Sequence, residues 1–385
     1  MAEARQRTLW LVDPLSDEQL NNVYAPILSP LAWDLGHIAN FEELWLVETV
    51  GRQEPLHGEL GRLYNAIENP RATRGKLPIL RGDKLRVYLS EVRERALDVL
   101  ARVDLDSIED PLVAGGFVYE MLIAHEHQHN ETMLQLIQLV EGYEPGQIER
   151  PPPADSEGPE MVLVEGGGVE IGAAESGFAY DNERPRHVVE VEPFWIDRTP
   201  VTNRAYAEFV ADTRAESPMY WEAEREGGWS RTAMGRREPL DPDQPVVHIS
   251  WHEADAFARW AGKRLPSEEE WELAAAGADR ERANLDQLAF GCAEAGAYAD
   301  APSDCGAVQM VGDVWEWTSS DFEAYPGFQA FPYREYSEAF FGDAHKVLRG
   351  GSWATRRNVI RTSFRNWDLP ERRQLFAGLR CAKDA

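Results

Sequence analysis

Three histidines stand close together in the segment His125-Glu-His-Gln-His129, and their spacing is the sharpest chemical signal in the chain. On an α-helix, residues i and i+4 lie one above the other, so His125 and His129 share a face. His127 lies about 200° around the helix from His125 and points elsewhere. Two imidazoles on one helical face can bind a single metal ion, so this segment predicts two of the protein ligands of a metal site.

The same segment matches the HExxH pattern of zinc proteases, in which the glutamate acts as general base. Glu126 takes that place here. The metzincin continuation is absent, since Thr132 and Gln135 stand where it needs glycine and histidine. A glutamate ligand at position 144 or 149 would require the helix to persist toward Pro145, which disfavours it. A zinc hydrolase stays as an alternative, and so does a metal-free helix whose histidines only line its packed face.

His37 is the natural third ligand. It lies on a different predicted helix, within an aromatic face that includes Trp33, Phe41 and Trp45. A lone histidine on such a face is more often a core residue than a ligand, but the pair at 125 and 129 reverses that preference. Three neutral imidazoles suit zinc, copper or iron about equally, so the spacing does not select the metal.

Helices must position these histidines, and the first 150 residues predict several. Apolar periodicity predicts a helix that opens near Ser29, a second over Gly82–Val103 and a third over about Phe117–Glu141. Helices of this kind form antiparallel bundles, which build sites from side chains that face inward. We expect a helical domain over residues 1–148, followed by a proline-rich linker over residues 149–158.

Residues 159–385 predict an α+β domain rich in irregular structure, because short alternating runs, many glycines and most of the tryptophans occur there. The predicted elements are strands at Met161–Val164, Val188–Val191 and Phe194–Asp197 and helices at Asn203–Ala211 and Trp251–Trp260.

Composition excludes several function classes. The chain has 385 residues and a net charge of −28 at pH 7, which disfavours a phosphate-binding surface for nucleic acid. The longest stretch without charged residues, Gln19–Trp33, contains two prolines and cannot span a bilayer. The three cysteines form no CxxC pair and no apolar leader follows the charged N-terminus, so we expect a cytoplasmic protein. The sequence does not indicate the oligomeric state.

Three segments resemble the ergothioneine-forming sulfoxide synthases. They are Ser29-Pro-Leu-Ala-Trp-Asp-Leu-Gly-His37, His125-Glu-His-Gln-His129-Asn-Glu-Thr-Met, and the C-terminal stretch from Val347 to Arg380 with its Arg-Asn-Trp-Asp string. The resemblance covers nearly the whole chain. It implies a DinB-like helical bundle that carries the metal ligands, followed by a domain similar to formylglycine-generating enzyme, with a C-type-lectin-like fold, that completes the active site. A true formylglycine-generating enzyme is disfavoured, because its chemistry needs a close cysteine pair and Cys381 stands alone.

The resemblance implies iron, Fe(2+), held by His37, His125 and His129, with Gln128 orienting the imidazole substrate or its water. It implies that the enzyme joins γ-glutamylcysteine to hercynine, the trimethylated histidine, with O2 to give a sulfoxide. A related enzyme would use free cysteine or a selenium donor instead.

The remaining site residues are also carried over from the resemblance. Arg71 and Arg74 match a pair that grips the carboxylates of γ-glutamylcysteine, and Asp368 with Arg372 matches a pair that selects this thiol. Two further residues, Asn366 and Trp367, fall where hercynine is held. Tyr333 matches the catalytic tyrosine, and Tyr336 is its alternative because the loop Phe341–Lys346 is shorter than usual.

Overall fold

A computed structural model describes residues 1–155 and 158–385, and it divides into two compact units. Unit 1 comprises residues 1–145 together with 234–236, and unit 2 comprises residues 146–233 and 237–385. Ser156 and Glu157, at the end of the predicted linker, lie outside the described residues. Residues 149–155 form neither helix nor strand, and the Glu149 amide donates to the Leu288 carbonyl at 2.7 Å.

Unit 1 is helical, as the periodicity predicts. Its α-helices are α1 (Ala2–Val12), α2 (Asp17–Asn21), α3 (Leu31–Glu42), α4 (Leu60–Leu63), α5 (Arg71–Arg74), α6 (Gly82–Leu100) and α7 (Phe117–Ile137). A 3-10 turn, Ala114–Gly116, leads into α7. The second and third predicted helices end three and four residues early, because the chain tightens there into i to i−3 hydrogen bonds.

A π-helical segment, Glu43–Val50, continues α3 directly. The Gly51 amide donates to the carbonyl of Leu46, five residues back, at 2.8 Å. Glu43 is fully buried at the start of this segment, and its carboxylate accepts hydrogen bonds from the Leu56 amide at 2.6 Å and the Tyr88 hydroxyl at 2.7 Å. These contacts tie the segment to the loop that follows it and to α6.

A buried ionic network joins four helices of unit 1. Arg5 on α1 donates to Glu126 on α7 at 2.7 Å and to Glu42 on α3 at 2.9 Å. Arg93 on α6 binds both carboxylates as well, at 2.7 and 2.9 Å to Glu42 and 3.2 Å to Glu126. Each charge has partners of the opposite sign, so the network fixes how these helices pack.

Unit 2 is mixed, and every element that the sequence predicts is present to within two residues. Its helices are α8 (Asn203–Thr213), α9 (Trp251–Trp260) and α10 (Glu268–Ala274). The strands are β1 (Met161–Val164), β2 (Gly167–Ile171), β3 (His187–Val191), β4 (Phe194–Asp197), β5 (Trp221–Ala223), β6 (Trp229–Ala233), β7 (Arg236–Pro239), β8 (Trp315–Phe322), β9 (Gly342–Arg349), β10 (Asn366–Asp368), β11 (Ala377–Gly378) and β12 (Ala382–Asp384). Three further 3-10 turns cover Asp181–Glu183, Arg280–Arg282 and Glu338–Phe340.

Small sheets order these strands. The largest has the order β10-β9-β8-β11, and a three-stranded sheet has the order β1-β4-β12. The others are the pair β2-β3 and the sheet β5-β6-β7. In the largest sheet Trp367 pairs with Val347 and Asp368 pairs with Lys346, so β9 presents the segment that carries the Asn-Trp-Asp residues.

Buried arginines hold the irregular parts of unit 2 together. The guanidinium of Arg380 is fully buried, pairs with Glu316 at 2.9 Å and donates to the carbonyls of Asp197 and Val308 at 2.8 and 2.9 Å. Arg365 pairs in the same way with Glu268, at 2.7 and 2.8 Å. Backbone that lies outside helices and sheets needs such side-chain partners, which explains a core with so much charge.

Within the described residues, no helix is both long enough and apolar enough to cross a membrane. The three cysteines, at positions 292, 305 and 381, are unpaired thiols.

Candidate metal centre

Helices α3 and α7 bring His37, His125 and His129 together. Their ligand nitrogens all lie within 4.8 Å of one another, and the Nε2 atoms of His37 and His125 are 3.2 Å apart. Across residues 1–155 and 158–385, this is the group of three or more potential ligand residues close enough to share an ion. The predicted third ligand therefore does lie beside the helical pair.

The backbone of the loop before α5 orients His37. Its Nδ1 lies 2.7 Å from the carbonyl oxygen of Tyr64, which accepts the Nδ1 proton and leaves Nε2 as the ligand atom. Gly36 allows this contact, because a Cβ at that position would lie 2.2 Å from the Tyr64 ring. The His37 ring also stacks on Trp33, with centroids 4.9 Å apart.

A carboxylate orients His129. Its Nδ1 lies 3.2 Å from Oδ1 of Asp34, which is 1% exposed on α3. A carboxylate behind a histidine ligand fixes the tautomer and makes the other nitrogen more basic. The sequence analysis missed Asp34, although its position three residues before His37 on one helical face was the available signal.

The surroundings of His37 and His125 favour their neutral forms. Burial, with a contribution from the charge of His129, lowers the pKa of both His37 and His125 well below the ordinary value. His125 additionally stacks on Phe41, with centroids 3.8 Å apart. Three imidazoles, two of them with oriented Nδ1 atoms, match the donor set of a divalent transition metal and leave coordination positions for other ligands.

Glu126 does not face this cluster. Its carboxylate accepts hydrogen bonds from Arg5, Arg93 and the hydroxyl of Thr8, the last at 2.8 Å. Burial alone would raise the pKa of Glu126, but the two arginines outweigh it and lower the pKa. A carboxylate held by two arginines is poorly suited to take a proton from water, so the geometry disfavours the zinc-hydrolase alternative. His127 also points away, as predicted, with Nε2 3.6 Å from Glu3.

The two predicted substrate arginines on α5 differ in their contacts. Arg74 is buried, stacks on Trp33 at 3.6 Å and donates to Ser29 and to two backbone carbonyls. Burial lowers the pKa of Arg74 to about 10. The negative charge of Asp34 opposes this decrease, and the positive charge of Arg71 adds to it. Arg71 is half-buried, and its Nη1 is enclosed without a hydrogen-bond partner among the described residues. Both arginines contribute to the lowered pKa of His37.

The other predicted residue of unit 1 is Gln128, which is half-buried on α7 directly before His129.

The predicted substrate residues of unit 2 gather around β10. Trp367 stacks on Phe322 with centroids 4.2 Å apart and planes 7° apart. Asn366 caps its own strand, since its Oδ1 accepts the Trp367 amide at 3.0 Å. Asp368 and Arg372 form a half-buried pair, with Arg372 Nε 3.5 Å from Asp368 Oδ1.

The two candidate tyrosines have different surroundings in unit 2. Tyr336 stacks on Tyr180 with centroids 4.1 Å apart and meets the edge of Trp367 at 5.6 Å. Tyr333 meets Tyr336 edge to face at 6.2 Å. Burial raises the pKa of the Tyr333 hydroxyl, so this group keeps its proton at neutral pH.

Comparisons with known proteins identify both parts of the chain. Residues 1–133 match the model of the DinB superfamily, and residues 147–385 match that of the sulfatase-modifying factor enzyme 1-like domain. The fold and the histidine cluster thus define a DinB-type helical unit joined to a domain of the formylglycine-generating type, as the resemblance implies.

Relatives that match over the full length of the chain identify its family within this class of proteins. The chain is 43% identical to the hercynine oxygenase of Mycolicibacterium smegmatis over 100% of this chain and 97% of the relative. It is 42% identical to the hercynine oxygenase of Mycobacterium tuberculosis, over 100% and 97%. The formylglycine-generating enzyme of Streptomyces coelicolor is 32% identical, over 63% of this chain and 93% of its own length. The chain belongs to the hercynine oxygenase family and is an oxygenase.

Proposed function

We propose that this chain is an iron-dependent sulfoxide synthase that joins γ-glutamylcysteine to hercynine in ergothioneine biosynthesis. The reaction forms a bond between the thiol sulfur and an imidazole carbon, and it adds one oxygen atom to the sulfur. One O2 accepts the four electrons released, with its second oxygen leaving as water. The observation that carries the proposal is the oriented cluster of His37, His125 and His129 in a chain of this family.

The histidine cluster fits iron, and the proposed chemistry needs a redox-active metal. Zinc has no redox chemistry of its own, which makes it unsuitable for a four-electron reaction with O2. When bound, ferrous iron would activate O2 and collect the reacting sulfur and imidazole at one centre. The protein's part is to hold three neutral nitrogens in place, through the Tyr64 carbonyl on one ligand and Asp34 on another.

The thiol substrate requires carboxylate recognition, because γ-glutamylcysteine carries two carboxylates and one ammonium. Arg71 supports this choice, since a guanidinium nitrogen enclosed without a partner is complementary to an anion. We propose that Arg71 and Arg74 bind carboxylate and that Asp368 with Arg372 favours this thiol over free cysteine. Free cysteine and a selenium donor are the alternatives that the assay must include.

Hercynine carries a quaternary ammonium group, which the faces of aromatic rings attract. Trp367 lies within a cluster of rings that includes Phe322, Tyr336 and Phe340. We propose that Trp367 and Asn366 hold this substrate and that Gln128 orients its imidazole or a water. The unpaired thiols suit a reducing compartment, so we place the reaction in the cytoplasm.

Tyr333 is the proposed proton donor, because it matches the catalytic tyrosine of the family that the sequence resembles, and its hydroxyl carries a proton at neutral pH. Tyr333→Phe keeps the ring and removes that proton. We expect the variant to consume O2 still but to oxidise γ-glutamylcysteine mainly to its sulfinate. An unchanged ratio of sulfoxide to sulfinate by mass spectrometry would remove Tyr333 from the mechanism, and Tyr336→Phe would then be compared.

The proposed function is tested by loading the purified chain anaerobically with Fe(II) and adding hercynine, O2 and one thiol donor at a time. We expect γ-glutamyl-hercynylcysteine sulfoxide from γ-glutamylcysteine, with much lower efficiency from cysteine. Zinc-loaded protein should form none. Equal efficiency with cysteine would overturn the thiol assignment, and turnover by the zinc form would overturn the redox role of the metal.

A further inference from the structure

A single buried carboxylate holds both ends of the segment that carries Tyr333. We call residues 331–337 the tyrosine loop. We infer that Asp181 is a positioning residue, which fixes the place of the Tyr333 hydroxyl by anchoring this loop on both sides of it. The inference rests on the proposed function for its chemical consequence, but not for the anchoring itself.

The anchoring consists of three hydrogen bonds. The amide of Phe331, two residues before Tyr333, donates to Oδ2 of Asp181 at 3.2 Å. The hydroxyl of Ser337, four residues after Tyr333, donates to Oδ1 of the same carboxylate. The side-chain amide of Asn182 donates in turn to the Ser337 oxygen at 3.0 Å. Two neighbouring residues of the 3-10 turn Asp181–Glu183 therefore close the loop.

Burial strengthens these bonds. Asp181 is 6% exposed, and Asn182 and Ser337 are exposed by 1% and 0%. Hydrogen bonds are stronger in such an environment, and a buried group that loses its partner is destabilised by its desolvation. The loop is therefore fixed by buried contacts at the Ser337 end and by a half-buried contact at the Phe331 end.

The same turn contains a carboxylate with a different task, which makes the role of Asp181 clear. Glu183 pairs with Arg361 and accepts the hydroxyl of Ser363 at 2.8 Å, so its charge is neutralised by the body of unit 2. For Asp181, the contacts beyond its own turn are the Phe331 amide and the Ser337 hydroxyl of the tyrosine loop. Glu183 thus stabilises the turn, and Asp181 connects the turn to the loop.

Tyr180, directly before the turn, contributes the third contact. It stacks on Tyr336 and shares a hydroxyl hydrogen bond with it. Tyr336 thus packs against the turn, and Tyr333 lies between the two anchored ends, two residues from Phe331 and four from Ser337.

The test compares two serine-to-alanine changes at the same turn. Ser337→Ala removes the two hydrogen bonds that hold the C-terminal end of the loop, to Asp181 and from Asn182, and leaves the Phe331 amide on Asp181. Ser363→Ala removes a buried serine bond to Glu183 in the same turn and serves as the control. The first measurement is tryptic cleavage after Arg334, whose exposed side chain lies within the loop. One hydrogen bond represents roughly a fivefold factor in an opening equilibrium, and Ser337→Ala removes two. We therefore expect this variant to accelerate cleavage by at least roughly fivefold and Ser363→Ala to leave it unchanged.

The second measurement is the product ratio of the iron-loaded variants. Ser337→Ala should shift products from sulfoxide toward sulfinate by at least roughly fivefold, with the KM for both substrates kept, since two hydrogen bonds that position the loop are lost. Asp181→Asn, which weakens both ends, should shift it further. Equal cleavage rates for the two serine variants would overturn the anchoring, whatever the chemistry.

The two proposals fail in different ways. A shifted ratio in Tyr333→Phe but not in Ser337→Ala would overturn the positioning role alone. An unchanged ratio in Tyr333→Phe would remove the chemical role of that tyrosine, while the cleavage rates would still decide whether Asp181 anchors the loop.

Discussion

The contact between Asp34 and His129 yields the most specific prediction about the metal site. Asp34→Asn keeps the size of the side chain and an oxygen acceptor for the His129 Nδ1 proton, but it removes the negative charge 3.2 Å from that nitrogen. The charge makes the imidazole a better ligand, and the carboxylate is 1% exposed, so water cannot replace it. We expect the affinity for Fe(II) to fall by about 10- to 100-fold, which is about 1.4 to 2.7 kcal/mol.

The assay is an anaerobic Fe(II) titration against a competing chelator, repeated with Co(II), whose absorption spectrum reports the ligand geometry directly. Ser29→Ala is the matched control, because Asp34 also interacts with the charge of Arg74. Ser29 binds the Arg74 guanidinium at 2.9 Å, and its replacement perturbs that arginine without changing the partner of His129. We expect the control to bind metal as the wild type does. An Asp34→Asn variant with wild-type affinity, within about twofold, would refute the orienting role of the carboxylate.

Three further predictions follow from the same helices. Arg71→Gln should raise the KM for γ-glutamylcysteine about tenfold or more, and that for hercynine much less, because a charge-assisted hydrogen bond is lost; steady-state kinetics with each substrate varied checks this. Glu126→Gln should lower the free energy of unfolding of unit 1 by about 3 kcal/mol, measured by urea titration, and the folded variant should keep its turnover. Loss of turnover in the folded variant would support the zinc-hydrolase alternative. Folding lowers the pKa of Glu126. The difference in unfolding free energy between wild type and Glu126→Gln should therefore reach its full size above pH ~4.3 and should shrink as the pH falls further. Metal analysis should show that His127→Ala keeps iron binding, whereas alanine at any of the three proposed ligand histidines abolishes it. Loss of iron in His127→Ala, with iron retained in the other three variants, would contradict the proposed ligands.

The regular part of the fold could be predicted because burial imposes a period on the sequence. The stripe of α6 and the alternation in β1 and β4 each place apolar side chains on one face, and their observed bounds match to within a few residues. The π-helical segment after α3 has no distinguishing pattern in the sequence, since Glu43–Val50 is as apolar as an ordinary helix. Its five-residue hydrogen bonds depend on contacts such as that of Glu43 with Tyr88, which come from another helix.

The candidate site likewise contains residues that the sequence predicts and residues that it does not. The i to i+4 spacing on α7 predicts that His125 and His129 share a face, and an aromatic helix suggests His37 as their partner. The sequence indicates Asp34 only through its spacing of three residues from His37. It does not indicate the Tyr64 carbonyl, because such a supporting contact depends on how α3 packs and not on a motif. For Glu126 the motif leaves open a catalytic alternative, which the structure disfavours because two arginines distant in sequence bind its carboxylate.

The most direct test of the central claim is a single turnover of the Fe(II)-loaded chain with hercynine, γ-glutamylcysteine and isotopically labelled dioxygen. The product is then separated and its mass is measured. We predict a C–S-linked sulfoxide that carries one labelled oxygen atom, formed only by protein that retains all three histidines. A C–S product without label, or labelled sulfinate with no C–S product from the wild-type chain, would contradict the account.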